Sequence, residues 1–316
     1  MGRDWRRTDD RSGLPRHRRP GAAPAPGRTH TRAVRLAHRH LPAPVGVVTR
    51  LVVLGSGSKG NALAIEYAGD TLLVDVGFSA REIRRRAAAA GVSLERVVGI
   101  ALTHEHGDHT SGAPLLARDL DAPVICSGGT WARLRHKLGK ARHAPLSMTT
   151  PVELGPFRIE SAETSHDAME PVALAISSPA ASIGVAYDLG RPTAAVRYLL
   201  RNRTALVLEA NHDDVLLRTS GYPPVVQQRI AGAGGHLSNR VAAELLADLV
   251  HPQLAVVVLA HLSVRCNTPE HAHDAIAPAL TAAGFAGVLH VASQGDPTGP
   301  FTLGRQTERS VIPARA

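Results

Sequence analysis

Three features of the 316-residue sequence predict a layered α/β fold. Short β-rich runs alternate with helix-like segments through most of the chain, the pattern of strands and crossover helices packed in layers. An Ala/Arg-rich run over 80–90 reads as a helix closed by Gly91, the residue type that most often ends one. A continuous apolar run, Val97 to Leu102, leads straight into a polar cluster, as a buried strand does when it delivers side chains to a site.

The elements follow in order. Leu51 to Leu54, Leu63 to Tyr67 and Thr71 to Val76 read as consecutive strands separated by Gly-rich turns. After the 80–90 helix, a strand is expected over 97–103 and a helix from His109 as far as Asp119. Phe157 to Ala162, Val172 to Ser177 and Ser182 to Tyr187 form a second run of strands. Ala205 to Glu209, Leu254 to Leu259 and Val288 to Val291 are the strands of three closing strand-helix units. The helix over 238–250 carries Val241, Leu245 and Leu249 at i, i+4 and i+8, a stripe suited to packing on a sheet.

Composition narrows the class. Hydrophobic residues make up 44% of the chain but aromatics only 3%, so an ample core must be built from Ala, Val and Leu. No apolar stretch is long enough to span a bilayer and no secretory signal opens the chain, so no membrane partner is expected. The two cysteines, Cys126 and Cys266, form no CxxC pair, and a reducing, cytoplasmic setting is the default. Most of the +9 net charge sits in residues 1–49, where eleven Arg face three Asp. That Arg/Pro-rich extension is expected to be disordered. It is either a basic arm or the product of a start assigned too early, and the second is preferred because function needs nothing from it. One domain is expected over 50–305, with a short tail over 306–316. The basic total is therefore weak evidence for nucleic acid.

The segment Thr103-His104-Glu105-His106-Gly107-Asp108-His109 constrains function most tightly. Three imidazoles and a carboxylate at the end of a strand offer nitrogen and hard oxygen donors at one point, which suits a divalent metal. His104 and His106 are two apart, so an extended backbone turns both rings to one side. Gly107 lets the chain turn, so that Asp108 and His109 can face a second ion. A solvated, histidine-rich loop is the plain alternative.

HEHGDH resembles the HxHxDH signature of the metallo-β-lactamase superfamily. Leu72-Leu73-Val74-Asp75-Val76-Gly77, Thr164-Ser165-His166-Asp167, Gly184-Val185-Ala186-Tyr187-Asp188-Leu189-Gly190 and Leu259-Ala260-His261-Leu262-Ser263 are similar to its other motifs, in order. Ser56-Gly57-Ser58-Lys59-Gly60-Asn61, Leu208-Glu209-Ala210-Asn211-His212-Asp213 and Gly235-His236-Leu237-Ser238-Asn239 resemble the YycJ/WalJ-like exonuclease branch. The resemblance implies an α/β architecture of the four-layer αβ/βα sandwich type. It also implies two divalent metal ions, Zn²⁺ or Mn²⁺. His104, His106 and His166 would hold the first and Asp108, His109 and His261 the second, with Asp188 bridging. Asp75 is expected to orient a ligand rather than to bind metal. Seen alone, His166 and His261 would each read as a hydrogen-bonded core histidine.

Fold alone does not select the bond that is cut. Asp108 and Asp188 give an oxygen-rich second site that suits a phosphate clamp, and the loop at Gly235 leads into a helix N-terminus that favours an anion. A similar GHS segment in tRNase Z-like relatives, paired with an earlier glutamate, implies His236 as general acid with Glu209 holding it charged. Asp108, His236 and Glu209 are thus the catalytic candidates, and helix capping is the alternative for His236. Residues 131–142 bring five Lys and Arg cations, His136 and Trp131 to a place where a lid would emerge, either a phosphate-tracking surface or a solvated helix face. The span between Asp188 and His261 leaves no room for the β-CASP insertion of RNase J-type enzymes. The expected activity is phosphodiester hydrolysis as a DNA 5′→3′ exonuclease, with DNA preferred over RNA. The alternative is a small-molecule hydrolase acting on cyclic phosphodiesters, thioesters or lactones.

Overall fold

The computed structural model describes residues 46–304. The expected 306–316 tail and most of the 1–49 extension lie outside them, and Thr49 already opens the first strand. Strands β1 (Thr49–Gly55), β2 (Ala62–Tyr67) and β3 (Asp70–Val76) form an antiparallel meander. Helix α1 (Ala80–Ala89) follows, its N-terminus capped by Ser79 Oγ, which accepts from the Glu82 N–H. Then come β4 (Val97–Ala101), the short helix α2 (Gly107–Thr110), α3 (Ala113–Asp119), β5 (Val124–Cys126), α4 (Gly128–Leu138) and β6 (His143–Pro145). Strands β3 to β6 run parallel.

The second half starts with antiparallel β7 (Val152–Leu154), β8 (Phe157–Glu163), β9 (Val172–Ser177) and β10 (Ser182–Ala186). It continues through α5 (Ala194–Leu200), β11 (Ala205–Glu209), α6 (Asp214–Thr219), α7 (Pro224–Ala231), α8 (Asn239–Leu249), β12 (Val256–Ala260), α9 (Pro269–Ala282) and β13 (Val288–Val291). Strands β10 to β13 are parallel. The last strand, β14 (Thr298–Leu303), returns to pair antiparallel with β1. Two seven-stranded sheets result, ordered β14-β1-β2-β3-β4-β5-β6 and β13-β12-β11-β10-β9-β8-β7.

The strands are apolar on both faces because both faces are covered. Leu51, Val53 and Leu63 meet Ile159, Leu174 and Val258 between the sheets. The alternate residues Val52, Leu54 and Leu73 pack outward on Ile83 of α1, Leu116 of α3 and Leu134 of α4. On the other side Leu206, Leu208 and Leu259 pack on Val196 of α5, Leu245 of α8 and Ile276 of α9. This is the expected four-layer αβ/βα sandwich, with an aliphatic core.

Several boundaries differ from the sequence reading. The helix expected from His109 to Asp119 is two helices, because Gly112 N–H donates to Val76 O at 2.8 Å and Pro114 opens a fresh first turn. The strand expected to reach Thr103 ends at Ala101, since the Thr103 amide turns to Asp75. On α8, Leu245 and Leu249 are buried as expected, but Ala242 and Leu246 complete the face and Val241 only flanks it. Among the described residues β13 is followed by β14 rather than by a third helix, the Gly299-Pro300 pair having masked that strand.

Candidate metal centre

The carboxyl ends of β4, β10, β11 and β12 meet at one edge of the sandwich, where open α/β sheets leave a crevice. Three site residues there adopt left-handed backbone: Asp75 (φ 51°), Asp188 (φ 55°) and His261 (φ 56°). That conformation costs about 1–3 kcal/mol for a residue with a side chain, and each is held by several hydrogen bonds. Thr103 donates its N–H and Oγ1 to the two oxygens of Asp75, at 2.9 and 2.8 Å. The Leu189 amide, just past Asp188, donates to Glu209 Oε2 at 2.8 Å. His261 donates its amide to Ser56 Oγ at 2.8 Å, and its carbonyl accepts from Asn211 Nδ2 at 2.8 Å.

All seven expected ligands come together. His104, His106 and His166 form one group of ring nitrogens and Asp108, His109 and His261 form another, each with donor atoms within 4.8 Å of one another. Asp188 lies between them. Its Oδ2 is 2.9 Å from His109 Nε2 and 3.8 Å from His104 Nε2, while Oδ1 is 3.6 Å from His261 Nε2 and 3.7 Å from His166 Nε2. His104 Nε2 and His106 Nδ1 approach to 3.0 Å. Asp108, partly exposed, sits at the mouth, with Oδ2 3.4 Å from His109 Nε2 and 3.5 Å from His261 Nε2.

The electrostatics fit a cation. Burial disfavours a charged His109, yet Asp188 and Asp75 outweigh it and hold its pKa well above the ordinary histidine value. Burial likewise works against His261, but Asp188, Asp108 and Glu209 push it up to about 9. His104 goes the other way, well below the ordinary value through burial and its neighbour His109, which keeps it in the neutral form that ligates. Burial would raise Asp108 and Asp188, but the surrounding imidazoles hold both below the usual carboxylate range. Asp188 Oδ2 and His261 Nε2 are buried with no hydrogen-bond partner. Buried polar atoms are seldom left so, and a divalent ion would satisfy both.

Behind the ligands stands an orienting layer. Asp75 Oδ2 accepts from His109 Nδ1 at 2.8 Å, the role expected of it. Glu209, fully buried, is within 2.8 Å of His236 Nδ1 and 3.1 Å of His261 Nδ1 through the same oxygen, Oε1. Its carboxylate is thus placed behind both rings, away from the open face of the site. His236 is partly exposed, and burial is outweighed by Glu209 and Asp188, which push it up to about 10. Its amide donates to Ile230 O and leaves Ser238 Oγ to cap α8, so His236 is not the cap.

Other links were not assigned from sequence. Asn61 Oδ1 accepts from Ser56 Oγ and the Gly57 amide, and Asn61 Nδ2 lies 3.3 Å from His109 Nε2. The Ser56–Asn61 loop thus fastens the ligand loops while serving as the β1–β2 turn. The signal was present in the SGSKGN and EANHD segments, but the partners are distant in sequence. Trp131 is not free to stack a base, since its ring stacks on His143 at 4.3 Å. Arg133, on the same helix, does reach the site's edge, 4.0 Å from Glu105.

Residues 55–180 match the model of the metallo-β-lactamase superfamily. Exodeoxyribonuclease YycJ of Bacillus anthracis is 33% identical over 236 residues, 74% of this chain and 89% of the relative. Exodeoxyribonuclease WalJ of Streptococcus pneumoniae is 32% identical over 226 residues, 70% of this chain and 84% of the relative. Among solved structures, the metallo-β-lactamase fold protein YhfI from Bacillus subtilis superposes with a TM-score of 0.61 at 16% identity, covering 79% of this chain and 99% of that one. Fold and site together define a metallo-hydrolase. The chain belongs to the metallo-β-lactamase superfamily, in the branch that holds YycJ and WalJ.

Proposed function

We propose that the protein is a dinuclear metal-dependent phosphodiesterase acting on DNA, an exodeoxyribonuclease that digests from 5′ ends. The observation that carries the reading is Asp188, whose carboxylate lies within 4 Å of His104 and His166 in one group and of His109 and His261 in the other. His104, His106 and His166 would hold one ion, Asp108, His109 and His261 the other, and Asp188 both. The mixed nitrogen and carboxylate donors suit Zn²⁺ or Mn²⁺. Two such cations would supply Lewis-acid charge at phosphorus and make water acidic enough to attack near neutral pH.

The chain's own residues supply the rest. His236 turns Nδ1 to Glu209, which leaves Nε2 as the atom that hands a proton to the leaving oxygen. Glu209 keeps that imidazole charged and aimed. Asp108 at the mouth orients whatever enters between the two groups. The likeness to the exodeoxyribonucleases YycJ and WalJ supports DNA as substrate. The cytoplasmic setting is supported by two free, buried cysteines. No helix among the described residues is long and apolar enough to cross a membrane.

The test is nucleotide release from 5′-labelled DNA with added Mn²⁺, wild type against His106→Ala. Loss of a ligand should lower the rate at least about a hundredfold, since even orienting residues cost 10–100-fold. Equal rates in the two proteins refute the reading. Turnover of a lactone or thioester with no cleavage of DNA would favour a small-molecule hydrolase instead.

A further inference from the structure

A groove runs between α3 and α4, on the flank of the metal-binding segment. Its first recess, ≈ 230 Å³, is lined by Gly107 and Thr110 of the metal-binding segment and by Leu134 and Lys137 of α4. A second recess, ≈ 450 Å³, shares Lys137 and continues to Arg118, Lys140 and Arg142. The two share Pro114, Lys137 and Leu138, so they form one track whose near end touches Gly107, the residue between His106 and Asp108 in the chain.

The charges on this track are unevenly committed. Arg118 pairs with Asp119, and Arg142 with Asp121, an acid on the same wall. Lys137 and Lys140 are exposed and, among the described residues, have no carboxylate within ion-pair distance. Arg133, one turn before Lys137, lies over the edge of the metal segment at Glu105. Between the cations the walls are apolar, with Leu134 and Leu138 buried at the base and Leu115 47% exposed. Cations spaced along an apolar slot match a chain of phosphates joined by sugars and bases. The slot is too small for a double helix.

We infer that the α3–α4 groove is the path of single-stranded DNA leaving the metal centre, with Lys137 and Lys140 as its backbone contacts. The inference rests on the nuclease reading for the identity of the polymer, and it supplies what that reading lacks, a place for the nucleotides beyond the scissile bond. It predicts affinity that rises with strand length, because a dinucleotide fills only the centre while a longer strand enters the groove.

The test is binding, so it stands apart from cleavage. Fluorescence anisotropy with phosphorothioate oligodeoxynucleotides of two and of about twelve nucleotides is measured on wild type and on the double variant Lys137→Gln, Lys140→Gln. The longer strand should bind the variant at least about tenfold more weakly. The slope of log K against log salt should become shallower by about 1.4, at 0.7 for each lost single-strand phosphate contact. On wild type, acetylation mapped by mass spectrometry should find both lysines protected by the longer strand and not by the dinucleotide. An unchanged length dependence and salt slope, or lysines left unprotected, overturns the groove. A ribo-oligonucleotide bound about tenfold tighter than its DNA counterpart overturns the choice of DNA. If these results hold while no cleavage occurs, the nuclease reading fails and the groove stands.

Discussion

His109 Nδ1 lies 2.8 Å from Asp75 Oδ2, both side chains fully buried, and the same carboxylate fixes Thr103 at the end of β4. One residue on β3 therefore sets both the ring orientation of a ligand and the course of the ligand loop. Asp75→Asn should preserve the left-handed backbone, which asparagine tolerates, while removing the charge behind His109. Metal affinity should fall about 10–100-fold, read by chelator competition, with His104, His106 and His166 still intact. Unaltered affinity would mean that Asp75 serves only the loop.

Gly77 closes the same strand against the metal segment. A methyl group there would overlap the carbonyl of Asp108 and crowd the Asn61 amide, and neither backbone can yield. Gly77→Ala should cost about 1–3 kcal/mol of stability through overpacking, and hydrolysis should fall further than that loss explains. Chemical denaturation beside a rate assay checks both.

Removal of His236 should separate chemistry from metal binding. His236→Ala should lower kcat by about 10²–10⁴ and leave the metal content measured by mass spectrometry unchanged. Glu209→Gln should do both kinds of damage, because Oε1 faces His236 and His261 together. If Glu209→Gln loses rate alone, its contact with His261 carries no weight.

Loading with metal should stabilise the fold. The seven donors converge from both sheets, so an ion binds the folded chain and not the unfolded one. At free Zn²⁺ about a hundredfold above Kd the gain is about 2.7 kcal/mol, a rise of at least about 5 °C in Tm at this size. Scanning calorimetry with and without chelator reads it directly, and an unmoved Tm would count against occupancy of the cluster.

On α1, hydrogen bonds from Arg85 and Arg86 hold the Glu82 carboxylate down to about 2, from an ordinary 4.5. Because the folded value is the lower one, the pair stabilises the protein above pH 4.5, and that contribution drains away as pH falls from there toward 2. Glu82 is part-exposed and its partner Arg85 lies mostly in solvent, so screening keeps the effect small. Glu82→Gln should be slightly less stable than wild type near neutral pH, and the gap should narrow below 4.5 in acid denaturation series.

Much of this was legible in the chain because its signals are local. Strands such as Leu51 to Leu54 or Leu72 to Val74 are buried on both faces and read as continuous apolar runs. HEHGDH packs its ligands into one turn of chain. Strands β5, β6 and β7 have three residues each, too few to display a period. Glu209's hold on His261 comes from the pairing of β11 with β12, and the bond from the His261 amide to Ser56 across 205 positions exists only because the two sheets meet. No local pattern encodes such a meeting.

The pairing of β14 with β1 joins the two ends of the fold. On the ribosome the first sheet waits, one edge bare, for residues synthesised some two hundred and fifty positions later, and closing so long a loop is slow. His261, which must dock on Ser56 beside that edge, arrives nearly as late. The nascent chain therefore carries most of its candidate metal donors with no assembled trap for the ions until the stretch that bears His261 has been made and docked.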